Sequence, residues 1–223
     1  TDILFIIDAS GSMQDEIDAV LVAMNQFATY YQDEEVIQWG LVMGPFSEPI
    51  PNQWGTQEYG EIISNLSPFS DFISALSGVN TDWLAGTEPL YDNPIPTGIG
   101  NNILTKPDPQ NFKINWREDA QRVLIVFTDE PGQSYIYMAD DINDPTTIYN
   151  EGVSQLDLQQ LISNCLDLNV YTFTKIAQKG IITVDGPSGW EPLTIYGGQW
   201  FELVGNPAQI YENLMQIIDD NAC

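Results

Sequence analysis

The sequence predicts a doubly wound α/β domain, a mostly parallel central sheet with helices on both faces, and three observations carry that prediction. Residues 1–7 (TDILFII) and 123–128 (VLIVFT) form unbroken apolar runs of the kind found in strands buried on both sides. Segments with a helical apolar period alternate with such strands. Crossovers between parallel strands are right-handed, so the helices of an alternating chain fall on both faces of its sheet.

Taken in order, the first strand ends at Asp8, and the period changes at Met13. Ile17, Val20, Leu21, Met24, Phe27, Ala28 and Tyr31 then recur at helical spacing, behind a first turn rich in Gln14, Asp15, Glu16 and Asp18. Residues 36–43 read as a second strand, 59–63 as a weaker one and 68–76 as a short helix. Pro94, Pro96, Pro107 and Pro109 exclude a long helix from 92–116. After the 123–128 strand, Leu158, Leu161, Ile162 and Cys165 mark a helix over 154–168, and a strand follows at 169–174. A turn-rich stretch from Gly186 to Gly198 leads to a short strand over 200–204 and a terminal helix over 207–218, opened by Asn206 and Pro207. The whole chain, 1–223, reads as one domain with irregular insertions near 44–58, 92–116, 132–152 and 183–198.

Composition narrows the function. With 43% hydrophobic residues, 223 residues are ample for one core. Against 32 acidic side chains stand six basic ones, a formal charge of −26, so nucleic acid would be repelled. The chain has no histidine, which removes Ser-His-Asp and Cys-His catalysis and His-ligated metals. No apolar run approaches the roughly 20 residues of a membrane-spanning helix. The chain opens on a strand without an initiator Met or a signal, and so reads as part of a larger polypeptide. Cys165 and Cys223 form either one disulfide or two thiols; a disulfide would favour an oxidising compartment.

In a doubly wound sheet, ligands bind at the carboxyl ends of the strands where the strand order reverses, which points to the residues after Asp8 and Asp129. The turn Asp8-Ala9-Ser10-Gly11-Ser12 places one carboxylate and two hydroxyls on alternate residues ahead of a helix. Such hard oxygen donors suit Mg2+ or Mn2+, with Ca2+ a third candidate. A serine in this position more commonly caps the helix. The wider pattern favours the metal: Gly86-Thr87 and Thr128-Asp129 add a further hydroxyl and carboxylate after later elements.

DASGSM at 8–13, AGTEPLYD at 85–92 and VLIVFTDE at 123–130 together resemble the von Willebrand factor A domain family and its metal-ion-dependent adhesion site (MIDAS). The resemblance implies a Rossmann-like fold with Ser10, Ser12 and Thr87 as hydroxyl ligands. It implies that Asp8 and Asp129 coordinate the metal directly or through water. It also implies a protein partner whose Asp or Glu carboxylate completes the metal's shell, and an extracellular or cell-surface setting. Neutral hydroxyl ligands leave the ion electrophilic enough to attract that carboxylate. Glu130 stands where the family usually has Gly, and with Trp83 it is placed at the partner-binding rim.

Two other functions use the same fold or the same first acid. One is a cytosolic partner of an ATPase in chelatase-like or assembly machinery. The other is a haloacid dehalogenase-like, Mg2+-dependent phosphatase; Ser10 counts against it, because such enzymes carry a second Asp there. The chain is therefore read as a binding module and not an enzyme. Asp140, Asp141, Asn143 and Asp144 lack EF-hand spacing and read as a solvated loop.

Overall fold

The computed structural model describes residues 1–8, 11–34, 36–49, 56–79, 114–129, 168–176, 179, 181–183, 186–188 and 190–221. Every residue of the first strand, β1 (Asp2–Asp8), is buried. It lies between β2 (Gln38–Pro49) and β4 (Arg122–Thr128), parallel to both. Among the described residues the main sheet has six strands in the order β3-β2-β1-β4-β5-β8. Here β3 is Thr56–Ser67, β5 is Asn169–Thr174 and β8 is Trp200–Glu202. All neighbours are parallel except β2 and β3. A separate antiparallel pair joins β6 (Ile181–Thr183) to β7 (Gly186–Ser188), of which β7 lies within the stretch expected to be irregular.

Side chains alternate across the sheet, and the two faces divide accordingly. Ile3, Phe5 and Ile7 share one buried cluster with Trp39, Leu41, Ile125, Phe127, Phe173 and Phe201. Among the described residues, three helices supply the other half of that cluster: α1 (Gln14–Tyr30), α2 (Phe69–Ser77) and α3 (Pro207–Asn221). The periodic residues Ile17, Val20, Met24, Phe27 and Ala28 of α1 are all buried there, as are Ile210, Leu214 and Ile217 of α3. On the opposite face Leu4, Ile6, Val42, Leu124 and Val126 are fully buried too. This is the burial expected for a sheet covered on both sides.

The helix starts follow local chemistry. A single 3₁₀ turn, Gly11–Met13, leads into α1. At α3 the Asn206 side chain accepts from the Ala208 backbone N–H at 3.1 Å ahead of Pro207, as the Asn-Pro pair predicts. Gly198 has φ +141°, and a Cβ built on it would lie 2.0 Å from the Val170 carbonyl oxygen, so only glycine fits beside β5.

One expectation is corrected. Residues 44–58, read as an irregular insertion, include the end of β2 and the start of β3, and β3 runs well beyond the expected 59–63. Residues 44–58 mix glycine, proline and polar residues with apolar ones, so they lack the continuous run that marks β1. Register shifts between Trp39 and Phe46 further blur the alternation of β2. The predicted helix over 154–168 falls almost wholly outside the described residues. The insertion near 132–152, the acidic cluster at 140–144 and most of 92–116 lie outside them as well. Among the described residues, no helix is long and apolar enough to cross a membrane.

Candidate metal centre

Chain order makes the carboxyl ends of β1 and β4 the switch point of the sheet. From β1 the chain builds β2 and β3 on one side, then returns to place β4 on the other. Loops leaving β1 and β4 therefore diverge, opening a crevice between the strand ends. Asp8 is the last residue of β1, and Asp129 immediately follows β4. Both carboxylates are buried, Asp8 fully and Asp129 to 9% exposure.

A linked set of hydrogen bonds fixes them. Thr128 donates its hydroxyl to Asp8 Oδ2 at 2.7 Å. Ser12, in the turn that opens α1, donates its hydroxyl to Asp129 Oδ1 at 2.9 Å. Three of the five predicted ligands, Asp8, Ser12 and Asp129, are thereby brought to one end of the sheet, Ser12 and Asp129 from positions 117 residues apart. Ser10, Thr87, Glu130, Trp83, Cys165 and Cys223 lie outside the described residues.

Two further side chains complete the arrangement. Thr128 pairs with Thr174 in the β4–β5 register, so the next residues along, Asp129 and Lys175, sit side by side. The Lys175 ammonium lies 2.9 Å from Asp129 Oδ2 and 3.3 Å from Glu16 Oε1 in the first turn of α1. Partial burial pulls this ammonium's pKa down, but its hydrogen bonds and charge contacts with Asp129 and Glu16 outweigh that, and the net shift is upward. The ammonium is thus charged at neutral pH, and its side of the pairing is lost as pH rises through the elevated lysine value.

The donor set fits a hard divalent cation. Two buried carboxylates supply charge, and Ser12 supplies a neutral oxygen. Among the described residues no group of three or more Asp, Glu or Cys side chains gathers as a cage.

A mostly parallel sheet flanked by helices, with two acids at its switch point, agrees with the Rossmann-like fold that the resemblance to the von Willebrand factor A family implied. No protein-family model matches the chain, and no curated protein matches its sequence. Solved structures do match. Proximal thread matrix protein 1 (PTMP1) from the mussel byssus is 15% identical with a TM-score of 0.54, covering 99% of this chain and 47% of that one. A PTMP1 structure with a zinc-occupied MIDAS motif is 17% identical at TM-score 0.53, covering 99% and 48%. The PilB minor pilin from Streptococcus sanguinis is 14% identical at TM-score 0.56, covering 100% and 62%. The chain spans about half the length of PTMP1, and at these identities the likeness shows the fold.

Thr128, Glu16 and Lys175 were not assigned to the site from sequence. Thr128 ends an apolar strand and reads as one more β-branched residue. Glu16 reads as a favourable acid in a helix's first turn. Lys175 carried one usable signal: it is among only six basic residues and directly follows a strand.

Proposed function

We propose that this chain is a divalent-metal-dependent protein-binding module. Asp8, Ser10, Ser12, Thr87 and Asp129 hold Mg2+ or Mn2+, with Ca2+ a weaker candidate, and an Asp or Glu carboxylate of the partner protein completes the metal's shell. The observation that carries this reading is the meeting of buried Asp8 and Asp129 with the Ser12 hydroxyl at the switch point of the sheet. The zinc held by the MIDAS motif of PTMP1 supports a metal at this place in the fold. When bound, the ion supplies an electrophilic point that attracts a carboxylate. Thr128 and Ser12 hold the two carboxylates in fixed orientations by the bonds described above.

The module binds and does not catalyse. The absence of histidine from the chain, and Ser10 standing where a haloacid dehalogenase-like phosphatase carries its second Asp, support this reading. An extracellular or cell-surface setting fits the charge of −26, which dissolved ions would screen. Titration calorimetry with Mg2+ and Mn2+ tests the ligand set. Wild type is expected to bind, and Thr87→Ala and Asp129→Ala are each expected to lose at least about tenfold in affinity, the weight of one charge-assisted contact. Unchanged affinity in both variants would overturn the assignment.

A further inference from the structure

The strongest feature left over is the lysine beside the site. In a chain with 32 acidic and six basic residues, one ammonium sits on an oxygen of a proposed metal ligand. The Lys175 side chain is 41% exposed, whereas those of Asp129 and Glu16 are 7% and 14% exposed. Its long, flexible stem can move, while the acids it touches are held. Asp129 is fixed through its other oxygen, Oδ1, by Ser12.

Glu16 gives the ammonium a second seat. Its Oε1 already lies 3.3 Å from Lys175 Nζ, and its Oε2 is buried with no hydrogen-bond partner among the described residues. A buried carboxylate oxygen without a partner is costly, so Glu16 has unused capacity for a donor that moves toward it. A divalent ion arriving at Asp129 would meet the ammonium at short range. Like charges repel as the inverse of their distance, so a shift of Lys175 toward Glu16 relieves the conflict.

We infer that Lys175 is a tethered cation that competes with the divalent ion for Asp129 and moves onto Glu16 when the metal binds, thereby setting the site's metal affinity. This inference rests on the metal-site reading above. Its consequence is that the site loads, and the partner binds, only where divalent ions are plentiful. The plain alternative, that Lys175 is a strut holding Asp129 in its ligating position, predicts the opposite sign.

The test is calorimetry with Mg2+ and Mn2+ on the whole chain as wild type, Lys175→Met, Glu16→Gln and the double variant, with Lys175→Gln as a second removal of the charge. Both lysine variants are expected to bind metal about tenfold more tightly. Glu16→Gln is expected to weaken binding in wild type, and at least about threefold less in the Lys175→Met background, because its effect passes through the lysine. Thermal unfolding supplies a readout without metal. In EDTA the lysine variants should melt about 2–4 °C lower, from the repulsion left between carboxylates, while their Mn2+-induced rise in midpoint is larger than that of wild type. Equal or weaker metal affinity in both lysine variants overturns the inference and leaves the metal site standing. Equal losses from Glu16→Gln in the two backgrounds overturn the role of Glu16 as the second seat. No metal binding by wild type or by any variant overturns both the inference and the site.

Discussion

Replacing Phe127 with alanine tests whether the aromatic row beneath the site holds the end of β4 in place. Phe127 is fully buried, with its ring centroid 4.6 Å from Phe173 and 6.5 Å from Phe5. Phe173 stacks in turn on Phe201 at 4.9 Å. Rings at these separations attract one another beyond the area they bury. Truncating a fully buried Phe to Ala costs about 3–5 kcal/mol, the lost transfer energy plus the cavity left behind. Phe127→Leu keeps most of the volume and should cost less than about 1.5 kcal/mol. With a urea m-value of about 2–3 kcal/mol/M, the alanine variant's midpoint falls by about 1–2.5 M and the leucine variant's by less than about 0.8 M, with m unchanged. Asp129 lies two residues further along the chain, so the alanine variant should also bind Mn2+ more weakly than the leucine variant. An alanine shift no larger than the leucine shift would refute the packing argument.

Two predictions concern the scaffold away from the site. Arg117 donates from Nε to buried Asp2 at 2.7 Å and from Nη2 to the carbonyl oxygens of Thr1 and Val36 at 2.9 and 2.8 Å. Arg117→Ala leaves that buried carboxylate with less compensation and should cost about 2–4 kcal/mol, the lower part of the range for a broken buried pair because the arginine is itself 43% exposed. A thermal midpoint within about 2 °C of wild type would contradict this. Gly198→Ala should destabilise by more than about 3 kcal/mol, because the new methyl meets the Val170 backbone at a positive φ. Denaturant unfolding that shows a loss below about 1 kcal/mol would count against that geometry.

Sequence reached furthest where burial is complete. β1 and β4 are unbroken apolar runs because both faces of each are covered, and α1 and α3 show their buried stripes as a plain helical period. Those elements end at the acids of the site, so Asp8, Ser12 and Asp129 were legible from motif and strand end together. The β2–β3 edge was less legible. Its residues 44–58 mix polar, glycine and proline residues with apolar ones, and the register shifts near Phe46 break its alternation. Lys175 and Glu16 were not legible as a pair, because their meeting depends on β5 docking beside β4 and on α1 packing over the sheet. Neither arrangement leaves a local trace in the residues concerned. Thr128 is an intermediate case: its position was plain, and its bond to Asp8 follows from the β1–β4 register, which pairs Ile7 with Phe127.

The central claim is that a divalent ion is held at the carboxyl ends of β1 and β4, and anomalous diffraction from crystals grown in Mn2+ tests it most directly. The account predicts one strong peak between the first and fourth strands, about 2.0–2.2 Å from the Ser12 hydroxyl oxygen, with the carboxylates of Asp8 and Asp129 around it, directly or through water. A peak elsewhere on this acidic surface, or none at manganese concentrations that saturate binding in solution, would contradict it.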